Sequence, residues 1–358
     1  MNNLHKKAIK TVIFSLSIVA GLLLLLVAGF LLFLVITEYK PPITESIKME
    51  KMPIPDTIPC GKIELYTWNI GHCGMGKHTE WPEGKSYPVL PEISNYERNR
   101  DGILYQLTTL NKLDFVLLQE VDQESKRSHH DNQVERFKAS FSDYSAAFAV
   151  IQKTKAIPII APQGGILSGL LTLSRYQPLE ATRMSFPSAY GWLQKKIKPD
   201  YGLLLTRYLV NNGKHLVILN IQNPEFTAST NLNEKVLTQL KNIAESEYAK
   251  GNYVIVGGQW NMNPAGFAPE VIKDGNKAYK MQTAISESYL PAGYTWAFDP
   301  VRASMRESKT QYKKGTTATT IVDFFMLSPN LKLLTANTLD SNFEFSHHQA
   351  VGMIVELE

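Results

Sequence analysis

The chain has 358 residues, with 37 basic and 33 acidic side chains, 44% hydrophobic and 20% charged residues. This balance excludes a disordered or low-complexity protein. Residues 1–37 hold three lysines and no acid, which leaves 34 basic against 33 acidic residues in the remainder. A near-neutral remainder argues against avid nucleic-acid binding, which needs a basic stripe.

Residues 11–36 contain no charge, Pro, Asn or Gln. A run of this length and apolarity can cross a bilayer as a helix. A cleaved signal peptide would have a shorter apolar core and a small-residue cleavage site, whereas Thr37-Glu-Tyr-Lys-Pro-Pro42 follows here. Lys6, Lys7 and Lys10 precede the run, so the positive-inside tendency puts the N-terminus in the cytoplasm and the rest of the chain outside. We therefore expect residues 1–10 as a short cytoplasmic tail and 11–37 as a single-pass span in the cell membrane. Residues 38–60, rich in Pro and charge without periodicity, read as an extended stalk. One domain fills 61–358, since no repeat or second linker divides it.

Within that domain, short apolar runs bounded by turn residues predict strands at Ile63–Trp68, Phe115–Leu118, Gly169–Leu173, Leu203–Val210, Leu216–Asn220, Val254–Val256, Ile321–Leu327 and Gly352–Leu357. Asn211-Asn-Gly213 makes a hairpin turn between the fourth and fifth of these. Helical spacing predicts helices over Asn95–Leu110 and Asn231–Ala249. The mixture suits an α+β fold of two mainly antiparallel sheets packed face to face with helices outside. Cys60 and Cys73 flank the first strand, whose extended length holds them beyond disulfide reach.

Several segments share one form, an apolar strand followed by polar side chains at its end. They are Thr67-Trp-Asn-Ile-Gly71, Leu117-Leu-Gln-Glu-Val-Asp122, Ile218-Leu-Asn-Ile-Gln-Asn223, Gly257-Gly-Gln-Trp-Asn-Met-Asn263 and Phe345-Ser-His-His-Gln-Ala350, with Asp323 in Ile321-Val-Asp-Phe-Phe325. Together, in this order and spacing, they resemble the endonuclease/exonuclease/phosphatase superfamily, and Ser168–Arg175 and Thr295–Pro300 resemble framework of a membrane-anchored bacterial branch. The resemblance covers about Lys62 to Leu357. It implies a deoxyribonuclease I-like four-layer αββα sandwich behind the N-terminal transmembrane helix, and hydrolysis of phosphoesters with a divalent metal, usually Mg2+.

The resemblance also assigns roles. Asn69 and Glu120 match the metal-binding asparagine and glutamate. Asn261, Asp323 and His348 match retained catalytic positions. Three positions depart from the pattern. Gln259 stands where an aspartate would orient the attacking water, Gln222 where a histidine would donate to phosphate, and His347 where an aspartate would add negative charge near the metal. Glutamine has no useful basicity and carries no charge, and magnesium prefers oxygen to imidazole. We therefore expect a degenerate site that binds a phosphate-containing ligand or lipid headgroup with little or no hydrolysis. An active metal-dependent hydrolase with a shifted mechanism is the alternative.

The pair His347-His348 also raises a transition-metal site, but adjacent residues in an extended segment point to opposite sides. His129-His130 reads as surface or rim. The basic run Arg302, Arg306, Lys309, Lys313 and Lys314 reads as a solvated loop, with contact to anionic headgroups as the other reading.

Overall fold

A computed structural model describes residues 2–81, 90–110, 113–155, 164–224, 230–268 and 283–358. The helices are α1 (Asn2–Ile36), α2 (Ile93–Thr109), α3 (Gln133–Ser140) and α4 (Thr230–Ala249). The strands, in chain order, are β1 (Thr44–Ser46), β2 (Thr57–Ile58), β3 (Lys62–Asn69), β4 (Phe115–Asp122), β5 (Ser145–Thr154), β6 (Ile166–Ser174), β7 (Glu180–Ser185) and β8 (Gly202–Val210). They continue with β9 (His215–Gln222), β10 (Tyr253–Gln259), β11 (Thr295–Ala297), β12 (Met305–Arg306), β13 (Thr319–Thr320), β14 (Asp323–Leu327), β15 (Leu331–Thr338) and β16 (Val351–Leu357).

Two sheets form the body. One runs β1-β7-β8-β9-β10-β14-β11 with β2 added beside β8, and the other runs β15-β16-β3-β4-β6-β5. Both sheets are mainly antiparallel, as read, and each is mixed, because β3 pairs with β4 and β9 with β10 in parallel. A long connection carrying a helix, α2 in the first pair and α4 in the second, permits each parallel pair. The tight Asn211-Asn-Gly213 turn gives the antiparallel β8–β9 hairpin.

Facing side chains of the two sheets, among them Leu65, Leu117, Ile218, Ile255, Phe325 and Met353, make a dry central core. Val236, Leu240 and Ala244 of α4 cover the outer face of one sheet. Tyr96, Ile103 and Leu107 of α2, with Val134 and Phe137 of α3, cover the other. The layer order is helix, sheet, sheet, helix, as the strand patterning requires once both faces of each sheet are apolar.

The apolar helix α1 contains the 32-residue stretch His5–Ile36, in which an 18-residue window of mean hydropathy 3.1 is almost wholly exposed. It is compatible with a membrane span or a signal sequence. Its end meets the domain, where Leu34 is buried. The following segment corrects the reading of a free stalk. It is extended, but β1 pairs with β7 and β2 pairs with β8, so it lies along the sheet edge instead of spacing the domain away. Its few β-forming residues are enough because the edge strands supply the backbone partners. Cys60 and Cys73 are both unpaired.

Candidate functional site

The ends of β3, β4, β9 and β10 meet at one end of the sandwich. β4 carries a register shift between Leu118 and Val121, and within it Glu120 adopts a left-handed φ of 55°. Asn261, just past β10, has φ 54°, and His72, just past β3, has φ 45°. Such conformations are costly for residues other than glycine and collect where a fold aims side chains at a site. Gly257 and Gly258 admit the close approach that brings β10 in. A Cβ on Gly258, at φ 141°, would stand 2.2 Å from the Ile221 carbonyl oxygen.

The side chains at these ends form one hydrogen-bonded series. Gln222 Nε2 and Asn69 Nδ2 both donate to Glu120 Oε1, at 3.1 and 2.9 Å. Asn69 Nδ2 also donates to Gln259 Oε1 at 2.7 Å. Gln259 Nε2 donates to Asn261 Oδ1 at 2.8 Å, and Asn261 Nδ2 to the Asn223 carbonyl at 2.7 Å. Asn69 Oδ1 accepts from the Gly71 amide at 2.8 Å. Below this series, Asn220 and Gln119 are buried and bond each other at 2.8 Å, tying the two sheets together. Asn220 therefore belongs to the support of the site. Trp260 turns the other way, into the core under α4, stacked on Phe324 at 5.1 Å. That alternation is what leaves Gln259 and Asn261 facing the series.

Asp323 sits opposite Gln259 in the β10–β14 register. Its Oδ2 is 2.7 Å from His348 Nδ1, and both side chains are fully buried. The Trp68 indole donates to the His348 carbonyl at 2.9 Å, and Ser346 Oγ donates to the Asn69 carbonyl at 2.8 Å, which fix this loop to β3. His347 Nδ1 lies on the other side, 3.0 Å from where a Cβ on Gly71 would stand. Each of the eight residues singled out by the resemblance thus belongs to this end of the sandwich.

Sequence reasoning missed His72 and Arg127. His72 Nδ1 is 3.6 Å from Glu120 Oε2. The signal was available, since His72 lies three residues past Asn69 in a Gly-rich turn. Arg127 grips the buried Asp122 through two bonds of 2.8 Å and helps to line a pocket of about 150 Å³ with Glu120, Gln222, Gln152, Ser168, Pro199 and Tyr201. Burial, with Arg127 close by, pushes the His72 imidazole below its ordinary value. Burial and the adjacent His348 push His347 well down. For Glu120, burial would raise the carboxyl, but the His72 imidazole 3.6 Å away and the nearby His347 hold it well below the usual carboxylate range.

The basic run corrects a second expectation at one position, since Arg302, Lys309, Lys313 and Lys314 are exposed as read. Arg306 is fully buried, not solvated, and its guanidinium donates to the carbonyls of Gly76 at 2.7 Å, Glu307 at 2.9 Å and Thr310 at 3.0 Å. Burial without a carboxylate lowers its pKa to about 10. Its neighbour in space is the site, because the Arg306 amide donates to the His347 carbonyl at 2.9 Å. His129 and His130 are exposed, as read.

A hard divalent cation needs several free oxygens. Here Glu120 Oε1, Gln259 Oε1, Asn261 Oδ1 and Asn69 Oδ1 all accept from amide N–H groups, and one carboxylate stands alone among them. Among the described residues no group of three His, Cys, Asp or Glu side chains could hold a metal ion. The donor set does not fit magnesium. What the site does hold is unpaired polarity. His72 Nδ1, His347 Nδ1, His348 Nε2 and Asp323 Oδ1 are buried without a hydrogen-bond partner among the described residues.

No protein-family model and no curated protein matches the chain in sequence. Solved structures do match in shape. ANGEL2, described as a 2′,3′-cyclic phosphatase, is 14% identical with a TM-score of 0.53, over 88% of this chain and 99% of that one. The catalytic domain of human Nocturnin, solved with a bound sulfate anion, is 13% identical with a TM-score of 0.52, over 83% and 94%. An endonuclease/exonuclease/phosphatase protein from Beutenbergia cavernae DSM 12333 is 12% identical with a TM-score of 0.50, over 83% and 72%. The fold is that of the endonuclease/exonuclease/phosphatase superfamily. At these identities the likeness covers the endonuclease/exonuclease/phosphatase architecture and does not extend to the side chains of the site.

Proposed function

We propose that this end of the sandwich is a phosphoester-hydrolase site turned binding site, which takes a phosphate-bearing ligand and has lost efficient hydrolysis. The observation that carries the reading is the amide series closed around one carboxylate. Gln259 occupies the position where the resemblance implies a base, and both ends of its amide are bonded to Asn69 and Asn261. An amide so placed organises the cleft but cannot take a proton from water. The unpaired imidazole nitrogens supply what such a cleft needs for an anion, since a buried polar group without a partner costs about 1–3 kcal/mol until a ligand satisfies it. The phosphatase activity named for ANGEL2 and the sulfate held by Nocturnin support phosphate as the ligand chemistry. We further take α1 as a retained anchor, with Lys6, Lys7 and Lys10 on the cytoplasmic side and the domain outside.

The test is binding and turnover by the full chain in detergent. Glycerol phosphate should bind, and p-nitrophenyl phosphate and its diester should turn over no faster than background with magnesium, manganese or zinc. Combining Gln222→His, Gln259→Asp and His347→Asp should restore metal-dependent turnover. Rapid hydrolysis by the unaltered chain, abolished by Glu120→Ala, would overturn the reading. One observation favours the alternative of a shifted mechanism, namely that Asp323 orients His348 and leaves Nε2 unpaired. That reading requires a wild-type rate that His348→Ala removes and Gln259→Ala leaves intact.

A further inference from the structure

The end of α1 and the loop between β7 and β8 form one surface. Glu38, two residues past the end of α1, makes a buried ion pair with Lys196. Lys196 Nζ also lies over the Trp192 ring, 5.0 Å from its centroid. The loop is built, not slack. Lys195 N donates to the Gly191 carbonyl at 3.0 Å, and Lys198 N to the Gln194 carbonyl at 2.8 Å, closing a helical turn. Yet Trp192 is 52% exposed, Leu193 43% and the nearby Ile43 77%. Lys195 and Lys198 are exposed and have no carboxylate partner among the described residues.

The same loop is pinned to the wall of the candidate site. Gln152 Nε2 donates to the Ile197 carbonyl at 2.9 Å, and the Asp200 amide to the Ile151 carbonyl at 2.8 Å. Ile151, Gln152 and Pro199 line the pocket that contains Glu120. Pro199 also lines the neighbouring groove, of about 510 Å³, which Glu38, Lys40, Lys195 and Lys198 border. Helix exit, loop and pocket are therefore continuous. About two residues of chain, roughly 7 Å when extended, separate Ile36 from Glu38. If α1 spans a bilayer, this loop cannot stand far from its surface.

We propose that residues 190–198 lie in the headgroup layer of the bilayer that α1 enters, and that they hold the Glu120 pocket against it, so that the phosphate ligand is that of an anionic lipid headgroup. The inference rests on the anchored, ligand-binding reading above and names its ligand. The chemistry suits the place. An indole sits at the boundary of apolar and wet layers, and lysines reach from there to lipid phosphates. Each lysine near an anionic surface shifts the docked population by about five-fold.

The test uses the full chain reconstituted in nanodiscs of phosphatidylglycerol and phosphatidylcholine. None of the five tryptophans lies in α1, so quenching of tryptophan emission by lipids brominated near the headgroup reports on the domain. Quenching is expected, and Trp192→Phe should remove it while leaving the circular dichroism spectrum unchanged. Lys195→Glu with Lys198→Glu should weaken it in phosphatidylglycerol. Persistence of the quenching in Trp192→Phe, or its absence in the unaltered chain, overturns the docking. A glycerol phosphate affinity at least ten-fold weaker in phosphatidylglycerol discs than in detergent is the expected sign of a headgroup in the pocket. Equal affinities would assign the pocket to a soluble ester and overturn the lipid assignment. No glycerol phosphate binding in detergent would instead defeat the ligand-binding reading while leaving the quenching result to stand.

Discussion

Gln259→Asp tests the amide series most directly. In the native chain the Gln259 amide donates to Asn261 Oδ1 and accepts from Asn69. A carboxylate keeps the second bond and loses the first. That leaves the oxygen of Asn261, which is 4% exposed, unpaired, at a cost of about 1–3 kcal/mol. The new carboxylate also shares Asn69 Nδ2 with Glu120, whose oxygen bonds it at 2.9 Å. Two like charges roughly 5 Å apart repel by about 3 kcal/mol at an effective dielectric near 20. The variant should therefore lose about 4–6 kcal/mol at neutral pH, or about 6–10 °C in melting temperature for a domain of about 300 residues. The repulsion raises the folded pKa of the new carboxyl above its unfolded value. Its penalty is thus absent at pH below the unfolded value and grows as pH rises through the folded one, so the variant should regain stability in mild acid. Two carboxylates flanked by amides also make a hard-cation site, so magnesium at 100 times its dissociation constant should return about 2.7 kcal/mol. The assay is thermal unfolding of both full-length proteins in detergent, at neutral and mildly acidic pH, with and without magnesium. A variant as stable as the parent at neutral pH, or a parent with the larger magnesium shift, would refute the reasoning.

Two further outcomes follow from the scaffold. Arg207 and Lys250, with Asn252, hold the Glu247 carboxyl at the base of α4 down to about 2, the Arg207 hydrogen bonds at 2.7 and 3.1 Å being the largest cause. A depressed carboxyl stabilises the fold above the unfolded value of 4.5 and loses that contribution as pH falls toward 2, so Glu247→Gln should melt lower at neutral pH and show a flatter acid limb. Gly258→Ala places a methyl group 2.2 Å from the Ile221 carbonyl at a left-handed φ, and it should cost about 3 kcal/mol or more and loosen amide exchange in β9 and β10.

The sequence by itself determined the apolar N-terminal helix, the strands that end in polar side chains, and the helices α2 and α4. Each is a local pattern, an uncharged run, an alternation or a helical spacing that the chain carries within about 20 residues. Through the resemblance carried by the fixed order of the strand ends, it also marked eight residues that the fold brings to one end of the sandwich. β5, β7, β11, β15 and α3 were not legible. Their faces are mixed in polarity, as in Leu331–Thr338, and their pairing comes from strands distant in the chain. Residues 38–60 read as a stalk for the same reason, since their partners, β7 and β8 among them, lie far along the chain. Tertiary structure alone decided that His72 would stand beside Glu120, that Arg306 would be buried, and that the amides would close on one another. Those outcomes depend on separations across folded strands, and spacing along the chain does not encode them. It likewise decided that the exit of α1, the Trp192 loop and the Glu120 pocket would share one face, since Glu38 and Lys196 meet across 158 positions of chain only after the sheets have formed.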